Sequence, residues 1–269
     1  MTRPLSAGAL AAGRRRLGPT GHGPVAPLAW QLRVLPVCAS TERQLDAWLD
    51  RRLPGRDSPA LQAPMAVLAE HQRFAQGQQG RTWLSPPGGV WLSAALPWPA
   101  DPVQAAVPGL AAAVGVALQL EALGLPVRIK WPNDLLLERP GRPAAKLAGL
   151  LPRLRLRGGR IRWARVGLGL NGCNPVPPVG VNLVAALGRA GAAPRRLAPR
   201  VLAGLEWAMA AAGQPERVWR LADQRLWLPP QPLRIHGEDW QPLALARDGG
   251  LLLASGARRR VLQRSFEGI

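Results

Sequence analysis

Apolar and polar positions alternate along the chain in the manner of a mixed α/β domain. Leu32, Val34, Leu35 and Val37 form a short run that suits a strand, closed by the turn-forming Ala39-Ser40-Thr41. Thr41 with Gln44 three residues later reads as a helix-start capping box, and Leu45, Trp48 and Leu49 then supply one apolar face. Strands are predicted at residues 65–69 and 90–96. Between them lie a polar Gly/Gln-rich loop over 72–81 and the turn Pro86-Pro87-Gly88-Gly89. A long helix is predicted over 102–123. Its apolar stretch, 108–127, carries Gln119 and Glu121 and is broken by Gly115, Gly124 and Pro126, so it reads as a buried amphipathic helix and not as a bilayer span. Val127, Ile129 and Trp131 alternate as a strand ending at the turn Pro132-Asn133-Asp134. Two long β-type runs, 146–157 and 160–170, are joined by Gly158-Gly159, a strong hairpin signal. Helices are predicted over 194–212 and 215–226.

After Pro229-Pro230 the pattern changes to four short strands near 233–236, 241–246, 250–253 and 259–263, which suits a small β-barrel. Residues 1–30 show no periodicity and read as a flexible tail. The predicted organisation is therefore a tail (1–30), an α/β catalytic-sized domain (31–226) and a barrel (227–269).

Composition narrows the function classes. With 47% hydrophobic and 19% charged residues the chain has enough apolar material for a packed core. Cys38 and Cys173 are too few for a disulfide scaffold and read as free thiols of a reducing, cytoplasmic compartment. The N-terminus lacks a signal-peptide pattern, since Arg14, Arg15 and Arg16 follow its short apolar part. His22, His71 and His236 are dispersed, and no metal-ligand set is expected. The net charge of +19 suggests a polyanion partner, and a basic nucleic-acid-binding module remains an alternative. Against it, arginine replaces lysine almost everywhere and Tyr is absent, a drift of the whole sequence and not a built patch.

Four features could carry chemistry. In the stretch 70–83, Gly77 and Gly80 free the backbone to approach a ligand, Arg81 adds charge and Trp83 a flat apolar face; a plain polar surface loop would read similarly. Lys130 and Lys146 are the two lysines of the chain, one on each side of a single turn. An ammonium is a compact charge that can be aimed at one carboxylate or phosphoryl oxygen, so both are candidate ligands, though chance could place them there. Gly167-Leu168-Gly169-Leu170-Asn171 closes a strand and opens no helix, so it is no dinucleotide fingerprint; alternating glycines instead let a group pack flat on the strand. Ser40-Thr41-Glu42 is explained equally well by a helix cap. His71 could act as a base but nothing in the sequence pairs it. Phosphate-loop, nucleophile-elbow, HExxH and CxxC patterns are missing.

Taken in order, Ser40-Thr41-Glu42, the stretch ending RTWLSPPGGVWLS, KWPNDLLL, KLAGLL and GLGLN resemble the biotin protein ligase family. The resemblance covers about residue 35 to the C-terminus and is most specific in KWPND followed by KLAG. It implies a catalytic domain related to class II aminoacyl-tRNA synthetases and lipoate ligases, with a C-terminal SH3-like barrel. It also implies a reaction in two steps: biotin and Mg-ATP give biotinyl-5′-adenylate and pyrophosphate, and a lysine of the biotin carboxyl carrier protein of acetyl-CoA carboxylase then takes the biotinyl group.

By this resemblance Lys146 bridges the biotin carboxylate and the α-phosphate, Arg81 neutralises phosphate charge, and Asp134 and Asn133 line the nucleotide or metal side or meet the incoming lysine. Ser40, Thr41, Glu42 and Gln72 belong to the biotin end, Gly167 and Gly169 let the ring lie on the strand, and Trp83 supports the adenine. Gln76, Gly77, Gln78, Lys130 and Asn171 complete the expected substrate-binding set. A homodimer through edge strands is possible. Lipoate or octanoate ligation on the same fold is the competing enzymatic reading.

Three departures stand out. The loop Ala75-Gln76-Gly77-Gln78-Gln79-Gly80 replaces an arginine-rich family loop, so it offers hydrogen bonds without charge. That implies looser retention of the adenylate, which its dissociation rate beside an arginine-loop enzyme would check. Glu42 stands where the family usually shows Asn, which implies weaker biotin recognition there. Finally, repressing members carry an N-terminal winged helix that about thirty residues are too short to form, so specific DNA binding is not expected.

Overall fold

The computed structural model describes residues 5–17, 28–53 and 60–263. Ten of the strand and helix segments form one sheet and its covering layers: β1 (Gln31–Cys38), α2 (Thr41–Arg52), β2 (Met65–Gln72), β3 (Val90–Leu96), α3 (Pro108–Glu121), β4 (Val127–Lys130), β5 (Asp134–Arg139), β6 (Arg142–Arg157), β7 (Arg160–Leu170) and α5 (Pro194–Ala210). The seven strands run in the order β1-β2-β3-β7-β6-β5-β4. Only β1 and β2 are parallel; each other neighbouring pair is antiparallel.

Strand alternation decides which face each layer covers. Leu92, Ala94 and Leu96 of β3, with Val166, Leu168 and Leu170 of β7, pack on α3 and α5 in the main core. The opposite face of β2 and β3 packs on α2 through Leu45, Trp48, Leu49, Met65, Val67 and Ala95. On that second face β6 and β7 carry Gly149, Gly167 and Gly169 where a core strand would carry bulk.

The helix α3 is buried along its whole length apart from Glu121, so it is an apolar central helix and not the amphipathic one expected. It also starts later than expected, because residues 102–105 form turns ahead of Pro108 at its first turn. Gly115 of α3 faces Gly204 of α5: a Cβ on Gly115 would sit 2.0 Å from the Gly204 carbonyl oxygen, so the two helices meet backbone to backbone. The capping box is not formed. Ser40 is the helix-capping residue and makes no side-chain cap bond, while the Thr41 hydroxyl turns to the sheet.

The N-terminal segment corrects the expectation of a flexible tail. Residues 7–15 form a helix, α1 (Ala7–Arg15), with Leu10 fully buried. Arg14 pairs with Glu206 of α5 at 2.5 Å, both side chains buried, and the Trp30 indole N–H donates to the same carboxylate. Sequence periodicity missed α1 because its burial rests on a charge pair and one leucine. The parts of that expected tail at 1–4 and 18–27 lie outside the described residues. A further short helix, α4 (Val184–Gly191), was also not read from the sequence.

After α6 (Pro215–Asp223) come β8 (Leu233–Ile235), β9 (Glu238–Leu245), β10 (Leu251–Ser255) and β11 (Arg258–Leu262). They form an antiparallel sheet in the order β11-β10-β9-β8, with its own core of Ile235, Trp240, Leu251, Leu253 and Leu262. It docks on the larger domain through the Trp131 indole, which donates to the Gly249 carbonyl at 3.0 Å, and the Trp219 indole, which donates to the Leu245 carbonyl at 3.0 Å. The longest helices are not candidates for membrane crossing: among the described residues no helix is long and apolar enough.

Candidate functional site

A cavity of about 370 Å³ opens on this glycine-bearing face of the sheet. Its floor follows directly from register. Ser93, Gly167 and Leu151 stand side by side across β3, β7 and β6, and Gly169, Gly149 and Asp134 side by side across β7, β6 and β5. The two rows are two residues apart, about 7 Å along the strands. Three of the six positions have no side chain, which makes a flat, shallow floor.

The Gln/Gly stretch forms one wall. Gln78–Gly80 make a single 3-10 turn, closed by the Gly77 N–H donating to the Arg81 carbonyl at 2.7 Å. Gln79 and Gly80 adopt positive φ (54° and 70°), which the Gly80 position accommodates without a Cβ penalty. Gln76, Gly77, Gln78, Arg81 and Trp83 all face the cavity.

Trp83 reaches across the floor. A Cβ on Gly169 would lie 2.5 Å from its Nε1, and one on Gly149 would lie 2.9 Å from its Cζ3, so the indole covers both glycines at once. The group lying on Gly169 is thus the protein's own Trp83, and the side chain over Gly167 is Glu42, whose Oε1 would be 2.9 Å from a Cβ there. The strand glycines were expected to receive a ligand ring directly; here they seat two side chains that would line its path.

Lys146, on β6, aims its ammonium into the cavity, 2.8 Å from Asp134 Oδ1 and 5.0 Å from the Trp83 ring centre. Backbone bonds to the 179–181 segment hold the strand at this point: the Lys146 N–H donates to the Val179 carbonyl and the Val181 N–H to the Lys146 carbonyl. Four charged side chains line the cavity: Glu42, Arg81, Asp134 and Lys146. Their formal charges cancel, so an anionic ligand pair meets a neutral site whose cations must be aimed to be effective.

At the other end, Gln72 is buried and holds three partners. Its carbonyl oxygen accepts from the Thr41 N–H (2.8 Å) and hydroxyl (3.0 Å), and its amide donates to the Ser85 hydroxyl (3.1 Å). Thr41 and Ser93 share a hydroxyl–hydroxyl bond of 2.8 Å. Ser40, Thr41, Glu42 and Gln72 therefore do converge, with one N–H of Gln72 left for a ligand.

Other expected residues divide. Asn133 lines the cavity, but its amide donates to the Leu150 carbonyl at 2.8 Å and fastens the Pro-Asn-Asp turn to β6. Asn171 lines it too, with its oxygen accepting from Asn174. Lys130 does not: it ends β4, the sheet's edge strand, is exposed, and its ammonium lies 5.7 Å from the Trp227 ring, outside the cavity. His71 donates to or accepts nothing in the cavity; its Nδ1 lies 3.0 Å from the Ser85 carbonyl oxygen. Gly149, Ser93 and Asn174 were not singled out from the sequence. Gly149 stood inside the KLAG motif, but only the pairing of β6 with β7 shows that it shares a face with Gly169.

Comparisons with known proteins show what the chain is similar to. A profile described as the biotin/lipoate A/B protein ligase family matches residues 41–171, the segment that runs from Thr41 through the cavity floor to Asn171. The bifunctional ligase/repressor BirA of Salmonella typhimurium is 38% identical over 143 residues, covering 51% of this chain and 39% of the relative. Its Escherichia coli counterpart is 37% identical over 142 residues, with the same coverage. The matched segment thus spans about two-fifths of the length of these relatives. Among solved structures, the biotin protein ligase of Aquifex aeolicus in complex with biotin and ATP superposes with a TM-score of 0.58 at 20% identity, covering 86% of this chain and 95% of that one. The biotin acetyl coenzyme A carboxylase synthetase of Helicobacter pylori gives 0.51 at 18% identity, covering 86% and 99%. The mixed sheet with a small C-terminal antiparallel sheet is the fold of these ligases, and over residues 41–171 the chain matches the biotin/lipoate A/B protein ligase family.

Proposed function

We propose that the chain is an ATP-dependent biotin–protein ligase, which activates biotin as biotinyl-5′-adenylate and transfers it to a lysine of a biotin carboxyl carrier protein. The observation that carries the reading is the Lys146 ammonium, fixed between Asp134 and Trp83 over a glycine floor.

The first step joins two anions, so its barrier falls where cations are fixed around the forming bond. A biotin carboxylate oxygen attacks the α-phosphorus, and pyrophosphate leaves with the bonding pair. Lys146, within reach of both oxygens, neutralises the approach, and Arg81 from the loop wall draws phosphate charge outward. In the second step a carrier lysine, as the free amine, attacks the acyl carbon; AMP leaves and the amine loses a proton. Asp134, beside Lys146, is the carboxylate placed to receive that proton.

Mg²⁺ would enter on the ATP phosphates and supply charge neutralisation there. A phosphate-borne Mg²⁺ needs only one or two protein carboxylates, with water completing its shell. Asp134 would be that carboxylate, since it lines the cavity on β5 beside the Lys146 ammonium. Glu42 would not, being committed to Arg165.

The test is incubation with biotin, Mg-ATP and a carrier domain, followed by intact mass. Addition of one biotinyl group to the carrier, dependent on both substrates, is expected. Addition of a lipoyl or octanoyl group in preference to biotin would overturn the reading in favour of the lipoate branch of the family.

A further inference from the structure

The aim of Lys146 does not follow from β6 alone. Gly149 faces the cavity, so strict alternation back along the strand would put Lys146 on the core face. An irregularity in the pairing with β5 exchanges the two faces. Leu135 stands opposite Ala148 but Leu136 stands opposite Lys146, which leaves Leu147 as an extra residue. Leu147 and Ala148 both turn into the core, and Lys146 comes out on the cavity side. A slip of one residue would reverse that choice.

The bulge lies where β6 loses its other neighbour. The pairing with β7 ends at Ala148 and Leu170, followed by one bond from the Asn171 N–H to the Leu147 carbonyl at 3.0 Å. One residue further, the 179–181 segment takes the place of β7. It binds Lys146 through both its N–H, at 3.2 Å, and its carbonyl, at 2.9 Å.

That segment belongs to a loop whose two ends meet at Asn174 and Asn182. The Asn174 carbonyl accepts from the Asn182 side-chain amide at 2.9 Å. The Asn174 side chain is buried and ties three points together. Its Oδ1 accepts from the Gly172 N–H at 3.0 Å, and its Nδ2 donates to the Pro175 carbonyl at 2.9 Å and to Asn171 Oδ1 at 3.1 Å. The backbone has no room to shift toward the preceding turn, since a Cβ on Gly88 would lie 2.8 Å from the Asn174 nitrogen. Asn174 thus joins the end of β7, anchored in the sheet, to the loop that holds Lys146.

We infer that Asn174 is a positioning residue for Lys146: through the loop over 175–181 it holds the bulged register of β6 that turns the ammonium into the cavity. The inference rests on the reaction proposed above.

The test is a pair of variants read by biotin-dependent ATP–pyrophosphate exchange. Asn174→Ala removes all three side-chain bonds. Asn182→Asp keeps the shape and the oxygen that accepts from the Val184 N–H, and loses only the donation to the Asn174 carbonyl. A reacting group displaced by about 1 Å costs about 10²-fold in rate, so Asn174→Ala should lower kcat by about 10–10²-fold and Asn182→Asp by about 10-fold. KM for biotin and for ATP should change by no more than about threefold, because the loss is in the transition state. The loss should also depend on Lys146. Added to Lys146→Ala, Asn174→Ala should cost no more than about threefold further, whereas added to Lys130→Ala it should cost its full factor.

A full factor in both backgrounds makes Asn174 a general structural residue and overturns the inference, as does a rise in KM at unchanged kcat, which makes it a substrate contact. Should Asn174→Ala fail to fold, the same cycle with Asn182→Asp decides. Hydrogen exchange separates the inference from the reaction. In Asn182→Asp the Lys146 and Val181 backbone amides should exchange faster while the Asn171 backbone amide keeps its protection. Unchanged protection at Lys146 overturns the inference even where the reaction stands. If the unaltered protein shows no biotin-dependent exchange of pyrophosphate, the proposed reaction falls, and hydrogen exchange alone then upholds or overturns the tie between the loop and Lys146.

Discussion

Gly169→Ala isolates the contribution of the Trp83 platform from that of the fold. Gly169 does not need left-handed backbone, so alanine enters β7 without strain and recovers about 0.5–1 kcal/mol of strand stability relative to glycine. The new methyl, however, would lie 2.5 Å from Trp83 Nε1, 2.6 Å from Cε2 and 2.9 Å from Cζ2. Comfortable contact between such atoms is about 3.5–4.0 Å, so the indole must withdraw by about 1 Å. Trp83 sits on the loop wall, with Lys146 5.0 Å from its ring centre, so the displacement is passed to the lysine as well. A misplacement of about 1 Å at a reacting centre typically costs about 10²-fold in rate.

The expected result is therefore a fall of that order in biotin-dependent ATP–pyrophosphate exchange, with a change in Tm of no more than about 4 °C. A double variant, Trp83→Ala with Gly169→Ala, separates the causes: with the indole gone, the methyl should add little to the loss already caused by Trp83→Ala. Exchange within threefold of the original in Gly169→Ala, at unchanged Tm, would refute the role given to Trp83.

Three further outcomes follow from the same structure. Lys146→Ala removes the aimed cation and should cost about 10²–10³-fold in adenylate formation, while Lys130→Ala, outside the cavity, should leave pyrophosphate exchange near its original rate; equal losses in the two would contradict the placement of the site. Arg14→Ala leaves Glu206 buried with the Trp30 indole and the Leu28 N–H as its remaining donors among the described residues, so urea denaturation should show a loss of about 3–5 kcal/mol, and a loss under 1 kcal/mol would show that α1 is not a structural part of the domain. The Gly250 N–H, and then the Gln263 amide, hold the Asp248 carboxyl below its ordinary value. Its stabilising contribution is therefore present above the unfolded pKa of about 3.9 and is lost as pH falls through the depressed folded value. The Tm gap between the original protein and Asp248→Asn should be open at pH 5.5 and narrow toward pH 3, and a gap that is independent of pH would count against this turn as the source.

Much of the architecture was legible in the sequence because its signals are local. The run Val90–Leu96 is bounded by glycine and proline and appears as β3 with those limits, and Gly158-Gly159 joins β6 to β7 with both glycines at positive φ. Lys146 could be picked out because lysine is so rare in this chain, and it lines the cavity. Local signals failed where the partner is distant. Thr41 and Gln44 spell a capping box, but the Thr41 hydroxyl finds Gln72, thirty-one residues on, and the box is not made. The helix α1 has no pattern of its own and exists through Glu206 on α5.

The sequence by itself determined many of the element types, the chemical inventory and two lysines, both read as candidate ligands. Tertiary structure brought only Lys146 of the two to the cavity, because β4 is an edge strand that carries Lys130 out toward Trp227, whereas β6 lies inside the sheet and turns Lys146 to the cavity face. It decided the floor as well. Gly149, Gly167 and Gly169 become one surface only through the pairing of β6 with β7, and a residue's face in a sheet is fixed by register, a property of two strands that neither strand encodes alone.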